Sequence, residues 1–330
     1  MSDAFLTIER KMLSGQKLKP DEERWLAGLK PISQNLNKLW RIAAAIRQKY
    51  HKNFVYPCSI VNARSGYCSE DCAFCSQSSR HRTDIPRYPL FRPAKIVRAA
   101  HQAAENGANC FGIVTSGRRL NPQEIAGIVQ AVQEIRRRKI PINLSASLGE
   151  ISLADLKKLK SAGLKRYHHN LETSPDYFPK ICTTHKFSDR LRTIKNARKA
   201  GLAVCSGGIF GLGENDFQRL RLLKILQKLN IRSVPLNFLN PIPGTRLENR
   251  PKLSPKTALK WIAIARIILP RAIIRICGGR EAVLQKYQNK IFRAGANGIM
   301  IGGYLTTAGR TPAEDRKMLK KEKMEIARCR

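Results

Sequence analysis

Cys68-Ser69-Glu70-Asp71-Cys72-Ala73-Phe74-Cys75 places three thiols at C-x3-C-x2-C spacing in a loop containing glycine and serine. Three thiolates at such spacing can hold three corners of a cubic iron–sulfur cluster. No fourth cysteine follows nearby, so one iron would lack a protein ligand. An open iron can bind a substrate or cofactor, and this separates a catalyst from an electron carrier. Zinc is the competing chemistry, but zinc sites pair C-x2-C with a second cysteine pair or a histidine pair at a set distance. No such partner is visible in the chain, and the spacing favours a 4Fe-4S cluster.

The elements that must position this loop can be read from periodicity. Residues 1–53 read as helical, with Leu36, Leu39, Ile42, Ala45 and Ile46 in helical spacing. Apolar, β-branched runs then appear at 58–63, 110–115, 142–148, 167–171, 203–210, 234–239, 273–277 and 298–301. Helical stretches separate them at 93–106, 122–138, 153–162, 190–200, 217–229 and 255–268, several closed by a glycine such as Gly107, Gly163 or Gly201. About eight strands alternating with helices predict an α/β fold, a (β/α)8 TIM-type barrel, with an open doubly wound sheet as the alternative. The expected division is an N-terminal helical extension over 1–53 and a barrel over 54–330 that ends in a helix and a basic tail. The cysteine loop follows the first strand, while Cys110, Asn170, Cys205, Asn237 and Arg275 fall on later ones. In a barrel such positions converge on one mouth, and buried polar groups there need partners that a ligand can supply.

Composition bounds the setting. The apolar content of 42% suffices for a sizeable core. No apolar run reaches the roughly 18 residues of a membrane span; the longest, from Trp261, is broken by Arg266 and Pro270. No basic-then-apolar leader opens the chain, and nine cysteines without one argue for reduced thiols and metal ligation. A cytoplasmic protein with no membrane contact is expected. The net charge of +37 would suit a nucleic-acid partner. The basic residues are spread along the chain, however, and aromatics are only 7%, so solvated helix faces are the preferred account and no specific nucleic acid is expected.

The spacing with Phe74 before the last cysteine is similar to the signature of the radical S-adenosylmethionine superfamily. Gly66 to Arg80, reading GYCSEDCAFCSQSSR, resembles the cluster loop of the biotin synthase family. Tyr167-His168-His169-Asn170-Leu171-Glu172-Thr173-Ser174 resembles that family's YNHNLDTS segment. Val204-Cys205-Ser206-Gly207-Gly208-Ile209, Val234-Pro235-Leu236-Asn237 and Ala294-Gly295-Ala296-Asn297 follow in the same order, so the resemblance covers residues 40 to 320. It implies that Cys68, Cys72 and Cys75 hold a 4Fe-4S cluster whose open iron chelates S-adenosylmethionine, giving methionine and a 5′-deoxyadenosyl radical. It further implies that Asn170 and Glu172 bind the ribose, Arg190 the methionine carboxylate, and Phe74 and Ile209 the adenine. Glu172 stands where the family has Asp, which keeps the acceptor.

The family also carries an auxiliary cluster deep in the barrel, commonly 2Fe-2S, on three cysteines and an arginine. The matching positions are Cys110, Ser145, Cys205 and Arg275. Ser145 departs from the pattern, and a neutral hydroxyl is a poor iron ligand. Cys277 lies two residues beyond Arg275, and strand alternation points it to the same face. The expected auxiliary set is therefore Cys110, Cys205 and Cys277 with Arg275. Cys58, Cys182 and Cys329 show no partner at ligand spacing and read as bland. One of His168 and His169 should face inward as a packing or substrate contact.

The implied reaction is sulfur insertion into dethiobiotin to form biotin, with Asn170 and Asn237 contacting the ureido ring, flavodoxin or ferredoxin as electron donor, and a homodimeric assembly. The alternatives are another radical enzyme of the same barrel group, such as a hydrogenase-maturation or methylornithine-forming protein, and a basic RNA-modifying protein.

Overall fold

A computed structural model describes residues 2–327. Three helices, α1 (Ser2–Ser14), α2 (Pro20–Gly28) and α3 (Ser33–His51), precede the first strand. The strands are β1 (Phe54–Arg64), β2 (Cys110–Thr115), β3 (Asn143–Ser147), β4 (Arg166–His168), β5 (Ala203–Cys205), β6 (Gly208–Phe210), β7 (Ser233–Phe238), β8 (Ile273–Ile276), β9 (Gly298–Met300) and β10 (Glu325–Ile326). The α-helices between them are α4 (Pro93–Glu105), α5 (Pro122–Arg137), α6 (Leu153–Ala162), α7 (Phe178–Ile181), α8 (Phe187–Lys199), α9 (Asp216–Lys228), α10 (Pro255–Ile268), α11 (Arg280–Leu284), α12 (Lys290–Arg293) and α13 (Pro312–Lys321).

Every pairing in the ladder is parallel, and β9 returns to β1 at Tyr56↔Gly298, closing the sheet into a barrel. The fifth barrel strand is split. The run expected at 203–210 breaks at Ser206-Gly207, and both pieces pair with β7. β10 adds outside the barrel against the start of β1.

Local chemistry sets the helix ends. Asn121 and Asn215 each accept from the backbone N–H three residues on and donate their own N–H back to the side-chain oxygen of Glu124 or Gln218. Ser152 and Ser254 cap α6 and α10 through their hydroxyls. Alternation then divides the strands between two environments. Phe111, Ile113, Val234, Ile274 and Ile299 point outward into the main core beneath the helices. Cys110, Arg166, Ser233 and Arg275 face the barrel interior.

The N-terminal helices pack on this body, α3 along α10 and α2 against α9. Helix α10 is buried from Ala258 to Ile268, Lys260 and Arg266 included. Lys260 donates to the carbonyls of Ala27 (2.8 Å) and Leu29 (3.0 Å) and to Asp216 (2.7 Å). Arg266 donates to Gly295 O (2.8 Å), Ala272 O (2.7 Å) and Asn297 Oδ1 (2.7 Å), and Asn297 Oδ1 also receives the Ile274 N–H (2.9 Å). The Ala294-Gly295-Ala296-Asn297 word therefore helps to close the barrel: a Cβ on Gly295 would meet the Arg266 side chain at 2.8 Å, and its φ is +94°.

Candidate functional site

The strand ends and their loops enclose one cavity of about 340 Å3 that reaches from the cysteine loop down the barrel axis. At its mouth the loop is folded on itself by backbone bonds. Cys68 N–H donates to Gln77 O (3.2 Å), Cys75 N–H to Cys72 O (2.9 Å) and Ser79 N–H to Cys68 O (2.8 Å). His81 and Thr83 hydrogen-bond the carbonyls of Cys75 (2.8 Å) and Ser76 (2.6 Å). Burial raises the Cys68 thiol and pushes Cys75 up to about 11. Metal loading must then displace protons.

Glu70 and Asp71, two carboxylates set between the cysteines of a basic chain, anchor the loop to the segment after α7. Asp71 accepts from the Thr183 N–H (2.9 Å) and hydroxyl (2.6 Å), and Glu70 from the Thr184 hydroxyl (2.7 Å) and His185 (2.5 Å). Burial opposes both charges, but these hydrogen bonds prevail and hold both carboxyls below their ordinary range.

Cys182 departs from its bland reading. Its sulfur lies 3.8 Å from Cys72 Sγ and 3.2 Å from His185 Nδ1. A hydrogen bond from Cys72, then those of His185 and Thr184, pull it down to about 4 against the effect of burial. Cys72, Cys182 and His185 gather their donor atoms within 4.8 Å. Residue identity gave no sign of this, because the contact spans 110 residues.

Past the loop, the end of β4 and the split strand are laced together. Leu171 N–H donates to Gly207 O (2.9 Å) and Ile209 N–H to Glu172 O (2.8 Å). Asn170 Oδ1 accepts from Gly207 N–H (3.1 Å). The approach is so close that a Cβ on Gly207 would lie 1.8 Å from Pro235 O, and one on Gly208 2.3 Å from Glu172 O. Glu172 itself has φ +67°, an uncommon conformation for a non-glycine residue and typical of functional sites.

Arg190, in the first turn of α8, reaches back to Asn170 O (3.0 Å), His185 Nε2 (3.1 Å) and Glu172 (3.6 Å). Burial raises the Glu172 carboxyl, and its Oε2 is buried without a partner. Asn237 spends its amide on backbone, donating to Gly208 O (3.2 Å) and accepting from Gly278 N–H (2.9 Å). Phe74 and Ile209 pack against the small apolar cluster around Cys72 and Phe178.

Deeper still, Cys110, Cys205, Cys277 and Arg275 line the same cavity. Cys58 joins them, contrary to its bland reading, packing with Cys110, Cys277 and Met300. Both His168 and His169 line the space, although only one was expected to. His168 hydrogen-bonds Cys205, and this contact, with Arg275 and Arg166, brings the thiol to about 7 although burial works against it. A hydrogen bond from Cys58, then the charges of Arg275 and Arg166, hold Cys110 low. Burial pushes Cys277 up to about 12. Burial works against the Arg275 charge, but the thiolate charges of Cys58, Cys110, Cys205 and Cys277 outweigh it and raise its pKa. Ser145 Oγ, by contrast, donates to Phe111 O at 3.2 Å. The Cys329 position lies outside the described residues.

The site thus offers two groups of free thiols at two depths of one cavity, with unpartnered polar atoms on Glu172, His169 and Arg275. Among the described residues, neither the loop thiols nor the interior ones converge as a single-ion set. Soft thiolate donors of this kind are the ligands that iron–sulfur clusters take.

Residues 63–226 match the Radical SAM superfamily, and residues 235–325 match the Biotin and Thiamin Synthesis associated domain. The chain is 45% identical over 330 residues to the biotin synthase of Geotalea uraniireducens, spanning all of this chain and 99% of that one. It is 46% identical over 323 residues to the biotin synthase of Geotalea daltonii, covering 98% and 97% of the two chains. The fold is similar to methylornithine synthase (PylB), with a TM-score of 0.84 at 20% identity over 98% of each chain. It is also similar to HydG, a maturase of FeFe-hydrogenase, with a TM-score of 0.84 at 19% identity over all of this chain and 76% of that one. At such identities those two likenesses establish the barrel alone, while the curated relatives distinguish among its enzymes. The chain belongs to the biotin synthase family of the radical S-adenosylmethionine superfamily.

Proposed function

We propose that this enzyme converts dethiobiotin to biotin by inserting sulfur. In this reading Cys68, Cys72 and Cys75 hold a 4Fe-4S cluster that works with S-adenosylmethionine. Cys110, Cys205 and Cys277, beside Arg275, hold an auxiliary iron–sulfur cluster. When bound, the first group supplies hydrogen abstraction from unactivated carbon and the second supplies sulfur. The observation that carries the reading is the shared cavity, which both thiol groups line at different depths.

The chain's own residues bind, orient and exclude water. Glu172, with its unpartnered Oε2, and Asn170 suit ribose hydroxyls. Arg190 carries the charge for a methionine carboxylate, and its contacts to Asn170 and Glu172 aim it there. Phe74 and Ile209 offer an apolar wall for adenine. Asn170 and Asn237 line the same cavity and serve as contacts for the ureido ring, Asn237 oriented by its two backbone bonds. Flavodoxin or ferredoxin as reductant, a homodimer, a cytoplasmic setting and the division into an extension over 1–53 and a barrel over 54–330 complete the proposal. No helix among the described residues is long and apolar enough to cross a membrane.

Anaerobic reconstitution with iron and sulfide, followed by dethiobiotin, S-adenosylmethionine and reduced flavodoxin, tests it. Biotin and 5′-deoxyadenosine are expected together by mass spectrometry. Formation of 5′-deoxyadenosine with no biotin, in protein carrying both clusters, would remove dethiobiotin as the substrate.

A further inference from the structure

Resting on the sulfur-donor reading above, we infer that Cys58 is a fourth thiolate ligand of the interior cluster. The set is then Cys58, Cys110, Cys205 and Cys277 around Arg275, and Ser145 stands outside it.

The register of the barrel makes the first part of the case. Cys58 is the Cα partner of Cys110 on one side and of Met300 on the other. Partner residues in a ladder point to the same face of the sheet, and Cys110 faces the interior. Alternation agrees: Cys58 and Ile60 line the cavity, as do Cys110 and Gly112 on the neighbouring strand. Cys58, Cys110, Cys277 and Met300 form a buried patch separate from the main core beneath the helices.

Charge makes the second part. Arg275 lines the same cavity as all four cysteines. Its Nε is buried without a hydrogen-bond partner, and so is that of Arg166, whose Nη1 lies 3.7 Å from Cys110 Sγ. Among the described residues neither arginine forms an ion pair with a carboxylate. A buried cation and a half-buried one, both without carboxylate partners, call for an anionic group in the space they face, and a thiolate-ligated cluster is such a group.

The third part is Ser145. Its hydroxyl is committed to Phe111 O, and the Cys110 thiol leans on it at 3.8 Å. A hydroxyl bound in this way to the strand is a poor competitor for iron against a thiol on the same wall. Spacing excludes a simpler ion, since no three of the four sulfurs lie within 4.8 Å of one another.

The test is anaerobic reconstitution of the full chain and of Cys58→Ser, Cys58→Ala, Cys277→Ser and Ser145→Ala, read by iron and sulfide per chain, Mössbauer spectra and reductive cleavage of S-adenosylmethionine. Both Cys58 variants and Cys277→Ser should lose at least half of the interior iron. They should keep the loop iron and the circular dichroism of the wild type, which shows that they are folded. Ser145→Ala should keep all its iron. A Cys58→Ser protein with wild-type interior iron and an unchanged spectrum overturns the inference, and so does loss of interior iron in Ser145→Ala.

Should the Cys58 variants not fold, residue-resolved alkylation of the wild-type chain decides. Protection of Cys58 rising together with that of Cys110 on loading supports ligation, and unchanged labelling of Cys58 overturns it. Wild-type protein that cleaves S-adenosylmethionine yet never takes up interior iron would instead bring down the sulfur-donor reading itself, a result distinct from failure at Cys58 alone.

Discussion

Asp71, immediately before the middle cysteine of the loop, accepts both the backbone N–H and the hydroxyl of Thr183, at 2.9 and 2.6 Å. Glu70 repeats the arrangement one residue earlier with Thr184 and His185. These two carboxylates, with the bond from Ala73 N–H to Ile181 O (2.8 Å), tie a loop that must present three sulfurs at fixed spacing to the chain around Ile181–His185. Hydrogen bonds to a charged group are each worth roughly 1.5–3 kcal/mol. Asp71→Ala should therefore lower stability by about 2 kcal/mol in denaturant unfolding and retain loop iron several-fold less well through gel filtration. Unaltered iron retention would show that the cysteines hold the loop without help.

Gly207 meets a different constraint. An added Cβ would lie 1.8 Å from Pro235 O, a backbone atom that cannot step aside. Gly207→Ala should cost about 3 kcal/mol or more and displace Asn170, whose side chain accepts the Gly207 N–H. Gly127, in α5, is the control. Its Cβ would make ordinary contact with Leu90 at 3.8 Å, so Gly127→Ala should be neutral or gain up to about 1 kcal/mol. Thermal melts of the two variants would separate a packing constraint from a general intolerance of alanine.

The sequence carried the barrel because strand alternation and helix caps are local, and the loop cysteines because their spacing is local too. Strand register also follows from alternation, which is how Cys277 could be assigned to the interior from its two-residue offset from Arg275. Three features stayed hidden. The split at Ser206-Gly207 looks like a continuous strand because both halves are apolar, and the break arises from the tertiary approach of Glu172 and Pro235. Cys58 looked bland because its partners are on β2 and β9, a relation fixed only when the barrel closes. Cys182 and His185 meet Cys72 across a long sequence separation. The available hint was the Glu70-Asp71 pair in a chain with 61 basic and 24 acidic residues, where two adjacent carboxylates between metal-ligand candidates imply specific partners.

Cys72→Ala should abolish 5′-deoxyadenosine formation and leave the barrel folded. Two remaining sulfurs cannot hold the loop cluster, while Cys72 lies in a small apolar cluster apart from the main core. Circular dichroism and thermal melting should stay close to wild type. Product at the wild-type rate would show that the motif has another role.

His51 gives a test in the extension, far from the chemistry. It ends α3, and its Nε2 receives the Arg266 guanidinium at 3.1 Å. Burial first, then the charges of Arg266 and Arg47, hold its pKa down to about 3, against weaker support from the Pro270 and Ala272 carbonyls. A histidine whose folded pKa lies below its unfolded value of ~6.5 stabilises the fold fully above that value and loses its contribution as pH falls toward the folded pKa. Stability should therefore fall between pH 6.5 and about 3. One pH unit corresponds to at most about 1.4 kcal/mol, and partial exposure reduces this, so the loss from pH 7 to 5 should be about 1–2 kcal/mol. His51→Gln keeps an acceptor for Arg266 and removes the titration. Its stability profile from urea unfolding should be flatter across that window and should rejoin the wild-type slope below it, where carboxylates dominate both proteins. Parallel profiles from pH 7 to 5 would show that Arg266 does not hold His51 neutral.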